Sequence, residues 1–217
     1  MEEKKEKKKI QITKRDYEIL CLIHKFRFCL GRHIKVLANF PSVRVTDRRL
    51  KLLVENGFLT RKKYMYGVPY LYTLTHKGKI FIGANKRVDK LRIDRVTHDV
   101  TVLETVIFYV KKNGLSLNEI ISEKELHIKS GFGIRQHFPD FIALINNEKH
   151  AIEIEINSKS KARLEQNIEL NFKNYDKQIW FTDNKKVWSM IEELKEKTPN
   201  LYLASLEGVR AYARTYE

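Results

Sequence analysis

The stretch that decides the fold of the second half of the chain is HFPDFIALINNEKHAIEIEIN, residues 137–157. Its two apolar runs, FIALI and AIEIEI, flank the polar segment NNEK, which is typical of a tight β-hairpin turn. Side chains alternate between the two faces of a strand, so Glu153 and Glu155 point to one face and the isoleucines between them to the other. Asp140 begins the preceding strand, and a short hairpin register brings it close to both glutamates.

Three carboxylates in one small region of a sheet need a physical explanation. Neighbouring carboxylates oppose each other's ionisation unless a bound cation stabilises them, and Mg²⁺ prefers oxygen ligands of this kind. Acidic residues on the exposed face of a hairpin can also be simply solvated, with no function. The stretch therefore predicts either a Mg²⁺ site or a solvated acidic face.

The segments around this hairpin predict an α/β domain over residues 97–217. An apolar helix follows Thr97 as its N-cap and ends at Gly114, and a strand lies within residues 118–126. After the hairpin, residues 159–176 and 185–197 have helical periodicity, and strands are predicted within residues 177–183 and 200–208. The predicted order is α-β-β-β-α-β-α-β, with a mixed sheet.

Charge is distributed very unevenly along the 217 residues. Residues 1–95 contain 25 Lys and Arg against 9 Asp and Glu, a net charge of +16, whereas residues 96–217 contain 17 against 18, a net charge of −1. The first part is therefore expected to face a polyanion, and nucleic acid is the commonest one. No apolar run approaches the roughly 20 residues that span a bilayer, and the N-terminus lacks a signal peptide, so we expect a cytoplasmic protein with no membrane partner.

The first part of the chain predicts three helices followed by a hairpin. Residues 1–9 form a mixed-charge tail expected to be disordered. Thr13 caps the first helix, the second starts near Gly31, and the third lies within SVRVTDRRLKLLVENGFLT and ends at Gly57. Two β-rich runs around a turn at residues 67–69 then lead into a short helix after Thr75. Two cysteines in an apolar periodic segment predict buried thiols, not a metal site.

Three helices and a basic hairpin over residues 10–83 are in the order of a winged helix-turn-helix. In that arrangement the third helix enters the major groove of DNA and the hairpin, or wing, contacts phosphates. The predicted double-stranded-DNA contacts are Arg44, Arg48, Arg49, Lys51, Arg61, Lys62 and Lys63. A protein-interaction module is the alternative, which this cluster of cations disfavours. Residues 84–96 are predicted to be a linker.

Two resemblances follow from these motifs. RRLKLLVENGFLTRKKY and YLYTLTHKGK resemble the winged-helix repressor families, among which dimers are common, so a homodimer is an expected assembly. Residues 97–217 resemble the PD-(D/E)xK nuclease superfamily, in which a Pro-Asp at a strand start is followed one strand later by Glu-x-Lys. Pro139, Asp140 and Glu153 match this motif, whereas Glu155 stands in place of the lysine.

The nuclease resemblance implies a set of site residues. Asp140 and Glu153 would hold one or two Mg²⁺ ions, with Glu104 as an accessory metal ligand, and the reaction would be hydrolysis of a phosphodiester. Some restriction endonucleases of the superfamily carry Glu-x-Glu, and the missing lysine could come from Lys159 or Lys161. Arg135 and His137 would contact phosphate.

The whole chain also resembles the replication-relaxation family of plasmids and integrative elements, which pairs a winged helix with a nuclease-like domain. The matching segments are LTHKG, THDVTVLE, HFPDFIAL and AIEIEINSKSKARLEQNI. This resemblance implies a role in plasmid replication, relaxation or transfer. Two readings stay open: a Mg²⁺-dependent nuclease delivered by the winged helix, and a non-catalytic repressor or accessory protein whose second domain mediates self-association.

Overall fold

The computed structural model describes residues 10–64, 69–84, 91–131 and 136–216. The chain divides into two compact units, Met1–Val96 and Thr97–Glu217, here called the first and second units. Some predictions lie outside the described residues. These are the tail 1–9, Gly67 in the predicted turn, residues 85–90 of the predicted linker, and Arg135.

In its described residues, the first unit contains four α-helices and a small sheet. Its helices are α1 Lys14–Phe26, α2 Gly31–Leu37, α3 Val43–Glu55 and α4 His76–Phe81. Its strands are β1 Cys29–Leu30, β2 Leu59–Lys62 and β3 Leu71–Leu74, and a 3₁₀ turn spans Ile93–Arg95. The sheet has the order β1-β3-β2, with both neighbours antiparallel to β3.

Two helix ends of the first unit follow the predicted capping residues, Thr13 and Gly57. Thr13 closes a capping box at the start of α1, in which its hydroxyl accepts from the Asp16 N–H and Asp16 accepts from the Thr13 N–H at 2.6 Å. Ser42, which was not predicted as a cap, caps α3, and its hydroxyl accepts from the Val45 N–H at 3.3 Å. Gly57 follows α3 with φ of 75°, a conformation that costs glycine little. The three predicted helices and the hairpin strands are confirmed, and β1 is an addition whose two residues are too few to show alternation.

The second unit contains a five-stranded sheet flanked by helices. Its helices are α5 Val96–Asn113, α6 Glu123–Ser130, α7 Lys161–Asn174, α8 Lys185–Lys195 and α9 Glu207–Arg214. Its strands are β4 Ile120–Ser122, β5 Phe141–Ile145, β6 Glu148–Ile154, β7 Lys177–Phe181 and β8 Leu201–Ala204. The strand order is β4-β5-β6-β7-β8, so the unit belongs to the α+β class.

The sheet is mixed, as predicted. Strands β4, β5 and β6 pair antiparallel, whereas β6, β7 and β8 pair parallel because α7 and α8 connect them. Tyr109 of α5 packs edge-to-face against Phe141 and Phe181 on one side of the sheet. Trp180 packs with residues of α7 and α8 on the other side. Both faces of the central strands are therefore covered.

Three features of the second unit differ from the prediction. Helix α5 begins at Val96, so Thr97 lies inside it and is not its N-cap. Helix α6 occupies part of the segment predicted as a strand, because Ser122 and Glu125 form a capping box immediately after β4. Helix α9 was not predicted. Among the helices of the described ranges, none has both the length and the apolar character to cross a bilayer.

Candidate functional site

Helix α3 has one buried and one exposed face. Leu50 and Leu53 are fully buried, which fixes the rotation of the helix about its axis. Arg44 and Arg48 are exposed on the opposite side, as is Lys51, whose side chain is 72% exposed. The exposed face of α3 is therefore cationic from Arg44 to Lys51, and it ends at Glu55, whose carboxylate lies 3.8 Å from Lys51.

Arg49 does not belong to that face, which corrects its predicted DNA contact. Its Nε donates to Asp16 Oδ1 at 2.6 Å, its Nη2 pairs with Asp16 Oδ2, and the same nitrogen donates to the Gln11 carbonyl at 2.8 Å. Burial opposes ionisation of Asp16, but the hydrogen bonds from Arg49 and Thr13 outweigh it and lower the pKa of the carboxyl. Arg49 thus joins α3 to the start of α1.

Strand β2 supplies a second cationic surface. Arg61, Lys62 and Lys63 are exposed at the end of β2, and the Arg61 guanidinium lies 4.3 Å from the centre of the Tyr70 ring. This stacking holds the arginine in place through a cation–π contact. The described part of the hairpin therefore carries the basic residues predicted for a wing.

The hairpin of β5 and β6 sets the position of the three carboxylates. Asn146 and Asn147 have φ of 51° and 67°, the values that a two-residue type I′ turn requires. The register pairs Phe141 with Ile152, and its continuation places Asp140 across from Glu153. The hairpin register therefore brings Asp140 close to Glu153, as predicted.

Each carboxylate of this cluster already has protein donors, and those of Asp140 come from two elements. Its Oδ2 accepts from the Ile154 N–H at 2.8 Å, and its Oδ1 lies 3.4 Å from Nε2 of His98 on α5. Burial opposes its ionisation, but His98 and the Ile154 amide outweigh burial and lower the pKa of Asp140. His98 also contacts the Ile154 carbonyl at 3.1 Å, so it anchors the end of β6 to α5.

Glu153 is buried, with 3% of its surface exposed. Its Oε1 lies 2.6 Å from His137 Nε2 and accepts from Asn171 Nδ2 at 2.9 Å. Burial raises the pKa of Glu153, and the Asp140 charge acts in the same direction, against the opposing effect of His137. His137, predicted to contact phosphate, is instead bonded to this carboxylate.

Glu155 is equally buried, at 5% exposure, so the solvated acidic face is excluded for both glutamates. Its partner is Lys159, whose Nζ lies 2.5 Å from Oε2. Burial raises the pKa of Glu155, and the charges of Glu153 and Asp140 add to that effect while Lys159 opposes it. Lys159 therefore pairs with the residue that stands in place of the motif lysine.

Two further predicted site residues are Lys161 and Glu104. Lys161 donates to Glu193 of α8 at 2.8 Å on the surface. Glu104 is a buried residue of α5, six residues beyond His98, which separates the two by roughly 9 Å along the helix axis and a third of a turn around it. Glu104 therefore does not occupy the position from which His98 contacts Asp140.

Protein donors would compete with a Mg²⁺ ion at two of these carboxylates. Asp140 Oδ2 is taken by the Ile154 amide, and Glu153 Oε1 is taken by Asn171 and the imidazole of His137. Across the described residues, no group of three or more His, Cys, Asp and Glu side chains is placed to hold a metal. Each acid of the cluster has a protein partner, and His98 and Asn171 are the partners that the sequence did not point to.

Comparison with known proteins leaves the function to be inferred from this geometry. No protein-family model matches the chain, and neither the characterised proteins nor the solved structures include a significant match.

Proposed function

We propose that this protein binds double-stranded DNA through its first unit, which acts as a winged helix-turn-helix. The observation that carries the proposal is the exposed cationic face of α3, formed by Arg44, Arg48 and Lys51 and fixed in rotation by its buried leucines. A helix fits the major groove, and arginine forms bidentate hydrogen bonds with guanine there.

The basic end of β2 supports the same function. Arg61, Lys62 and Lys63 carry three charges on an exposed strand end, where a wing would contact phosphates beside the groove. Phosphate contacts give most of the non-specific affinity and position the helix for base recognition. The net charge of +16 over residues 1–95 adds long-range attraction to DNA.

In this proposal the second unit has a nuclease-like fold that does not cleave. The half-buried Asp140 and the buried Glu153 and Glu155 are bonded to His98, His137, Asn171 and Lys159, and they tie β5 and β6 to the flanking helices. The unit would then serve self-association, which sedimentation equilibrium of the whole protein tests. A role in replication, relaxation or transfer of a mobile element is proposed from the sequence resemblance alone.

Fluorescence anisotropy with a labelled random-sequence duplex tests DNA binding. We expect the logarithm of the affinity to fall linearly with the logarithm of the salt concentration, with a slope of about −0.9 per phosphate contacted. The double variant Arg44→Ala/Arg48→Ala should bind at least about tenfold more weakly. Lys185→Ala/Lys186→Ala removes the same charge from exposed positions of the second unit and should bind like the wild type. Affinity that does not change with salt, or equal losses in both double variants, would contradict the proposal.

A further inference from the structure

The first turn of α3 exposes two apolar side chains, one on each side of its cationic face. Val43 is 48% exposed and Val45 is 39% exposed, although Ser42 caps the helix directly before them. Valine is a poor residue for a solvated helix turn, because its β-branched side chain favours strands. Neither valine is needed for the core, which Leu50 and Leu53 of the same helix fill.

These valines flank an arginine. Successive residues of a helix are about 100° apart around the axis, so Val43 and Val45 lie on either side of Arg44. Arg48 lies one turn further along the exposed face. Asp47, the acid of this part of the helix, lies beside Gly31 of α2. Its negative charge opposes the ionisation of the Tyr72 hydroxyl. The first turn of α3 therefore presents a cation between two small apolar surfaces.

We propose that Val43 and Val45 contact the C5-methyl groups of thymines in the major groove, on either side of the base pair that Arg44 contacts. The inference builds on the proposed DNA binding and adds the base that is read. Thymine is the base that carries an apolar group in the major groove, and aliphatic side chains recognise it by packing against that methyl. The surrounding cations match the phosphates that border the groove, which favours duplex DNA over an apolar partner.

Uracil substitution tests this inference without changing the protein. A preferred sequence is first selected from a random duplex library with the wild-type protein, and each thymine of that sequence is then replaced by deoxyuridine, which lacks only the methyl. Loss of one buried methyl contact predicts about fourfold weaker binding at the positions that the valines read. Val43→Ala/Val45→Ala should bind the thymine and uracil duplexes equally. Ile80→Ala, which shortens an exposed side chain of α4, should keep the wild-type preference.

The outcomes separate the inference from the function on which it builds. Equal wild-type affinity for thymine and uracil at every position, or selection that yields no preferred sequence, overturns the thymine contact while DNA binding stands. A wild-type protein that binds no duplex overturns the proposed function itself. A uracil penalty that persists unchanged in Val43→Ala/Val45→Ala places the methyl contact on other residues and also overturns the inference.

Discussion

Two adjacent arginines of α3, Arg48 and Arg49, differ in exposure and in their partners. The Arg49 side chain is 23% exposed and its partner Asp16 only 1%, whereas Arg48 is exposed. The two side chains leave the helix about 100° apart around its axis. The sequence RR does not show which of the two arginines is paired. Sequence reasoning assigned both residues to DNA because the acid that captures Arg49 lies 33 residues earlier.

This contrast predicts opposite results for two alanine variants. Arg49→Ala leaves the buried Asp16 carboxylate without its cation and should lower the free energy of unfolding by about 3 kcal/mol. Arg48→Ala should change it by less than about 0.5 kcal/mol but weaken DNA binding. Urea denaturation measures the first effect and anisotropy the second. An Arg49→Ala protein that is as stable as the wild type but binds DNA more weakly would show that Arg49 contacts DNA.

The buried Glu153 carboxylate predicts a stability that depends on pH. Its raised pKa means that the folded state holds the proton more tightly than the unfolded state, whose ordinary value is 4.5. The stability that this group contributes is present below pH 4.5 and is lost as pH rises through the folded pKa. Glu153→Gln mimics the protonated form, so its free energy of unfolding should rise relative to the wild type between pH 4.5 and pH 8.

Glu153→Ala is the matched comparison for that variant. It removes the acceptor of Asn171, which is buried, and should cost about 2 kcal/mol below pH 4.5 because a buried donor is left unsatisfied. The cost should shrink as pH rises, because the wild type then loses the stability that protonated Glu153 contributes and Glu153→Ala does not. If Glu153→Gln and the wild type keep a constant difference from pH 4.5 to pH 8, the carboxylate does not titrate abnormally.

At the scale of elements, the segment Leu74-Thr75-x-x-Gly78 is explained by close packing of α4 against the turn before β2. The Thr75 hydroxyl accepts from the Gly78 N–H at 3.0 Å and donates to the Gly57 carbonyl at 2.6 Å. A Cβ on Gly78 would lie 2.3 Å from the Phe58 carbonyl oxygen, a backbone atom. Glycine at this position is therefore a packing requirement.

Two helical glycines give a paired test of that requirement. Gly78→Ala should lower the free energy of unfolding by about 2–3 kcal/mol, because either α4 or the Phe58 backbone must move. A Cβ on Gly208 of α9 would meet no atom within 4 Å, so Gly208→Ala should raise stability by about 0.5 kcal/mol. Thermal or urea unfolding compares them. A Gly78→Ala protein as stable as the wild type would show that α4 is not packed this closely.

Elements with a local signal were predicted well, and elements defined by tertiary contacts were not. Caps at Thr13, Ser42 and Gly57 and the NNEK turn are local, so α1, α3 and the hairpin of β5 and β6 followed from the sequence. The Ser122 capping box was readable too, but an apolar run beside it favoured a longer strand. Strand β1 exists because β3 pairs with it, which no local pattern encodes.

The candidate site was predicted in position but not in chemistry. Alternation and the hairpin placed Asp140, Glu153 and Glu155 together, and Lys159 was named as a substitute lysine. The donors His98 and Asn171 come from helices α5 and α7, which are distant in the sequence from the hairpin. Which donor meets which acid is a tertiary property, so periodicity could not supply it.

At the scale of the whole molecule, we expect DNA binding without cleavage. Supercoiled plasmid incubated with the protein and Mg²⁺, at concentrations where anisotropy shows saturation, should stay supercoiled because protein donors occupy the carboxylates that a metal would need. Nicking by the wild type that disappears in both Asp140→Ala and Glu153→Ala, while those variants still bind DNA, would show that Mg²⁺ displaces these donors. The protein would then be a nuclease.

The two-residue turn at Asn146 and Asn147 also has a consequence for the order of folding. A hairpin forms locally in about 1–10 μs, whereas contacts between distant segments must close longer loops and form later. Asp140 and Glu153 therefore meet early, before His98 and Asn171 arrive from α5 and α7 to contact them. During that interval the two acids repel each other unless one is protonated. We therefore expect their charges to lower the refolding rate more than they change the unfolding rate.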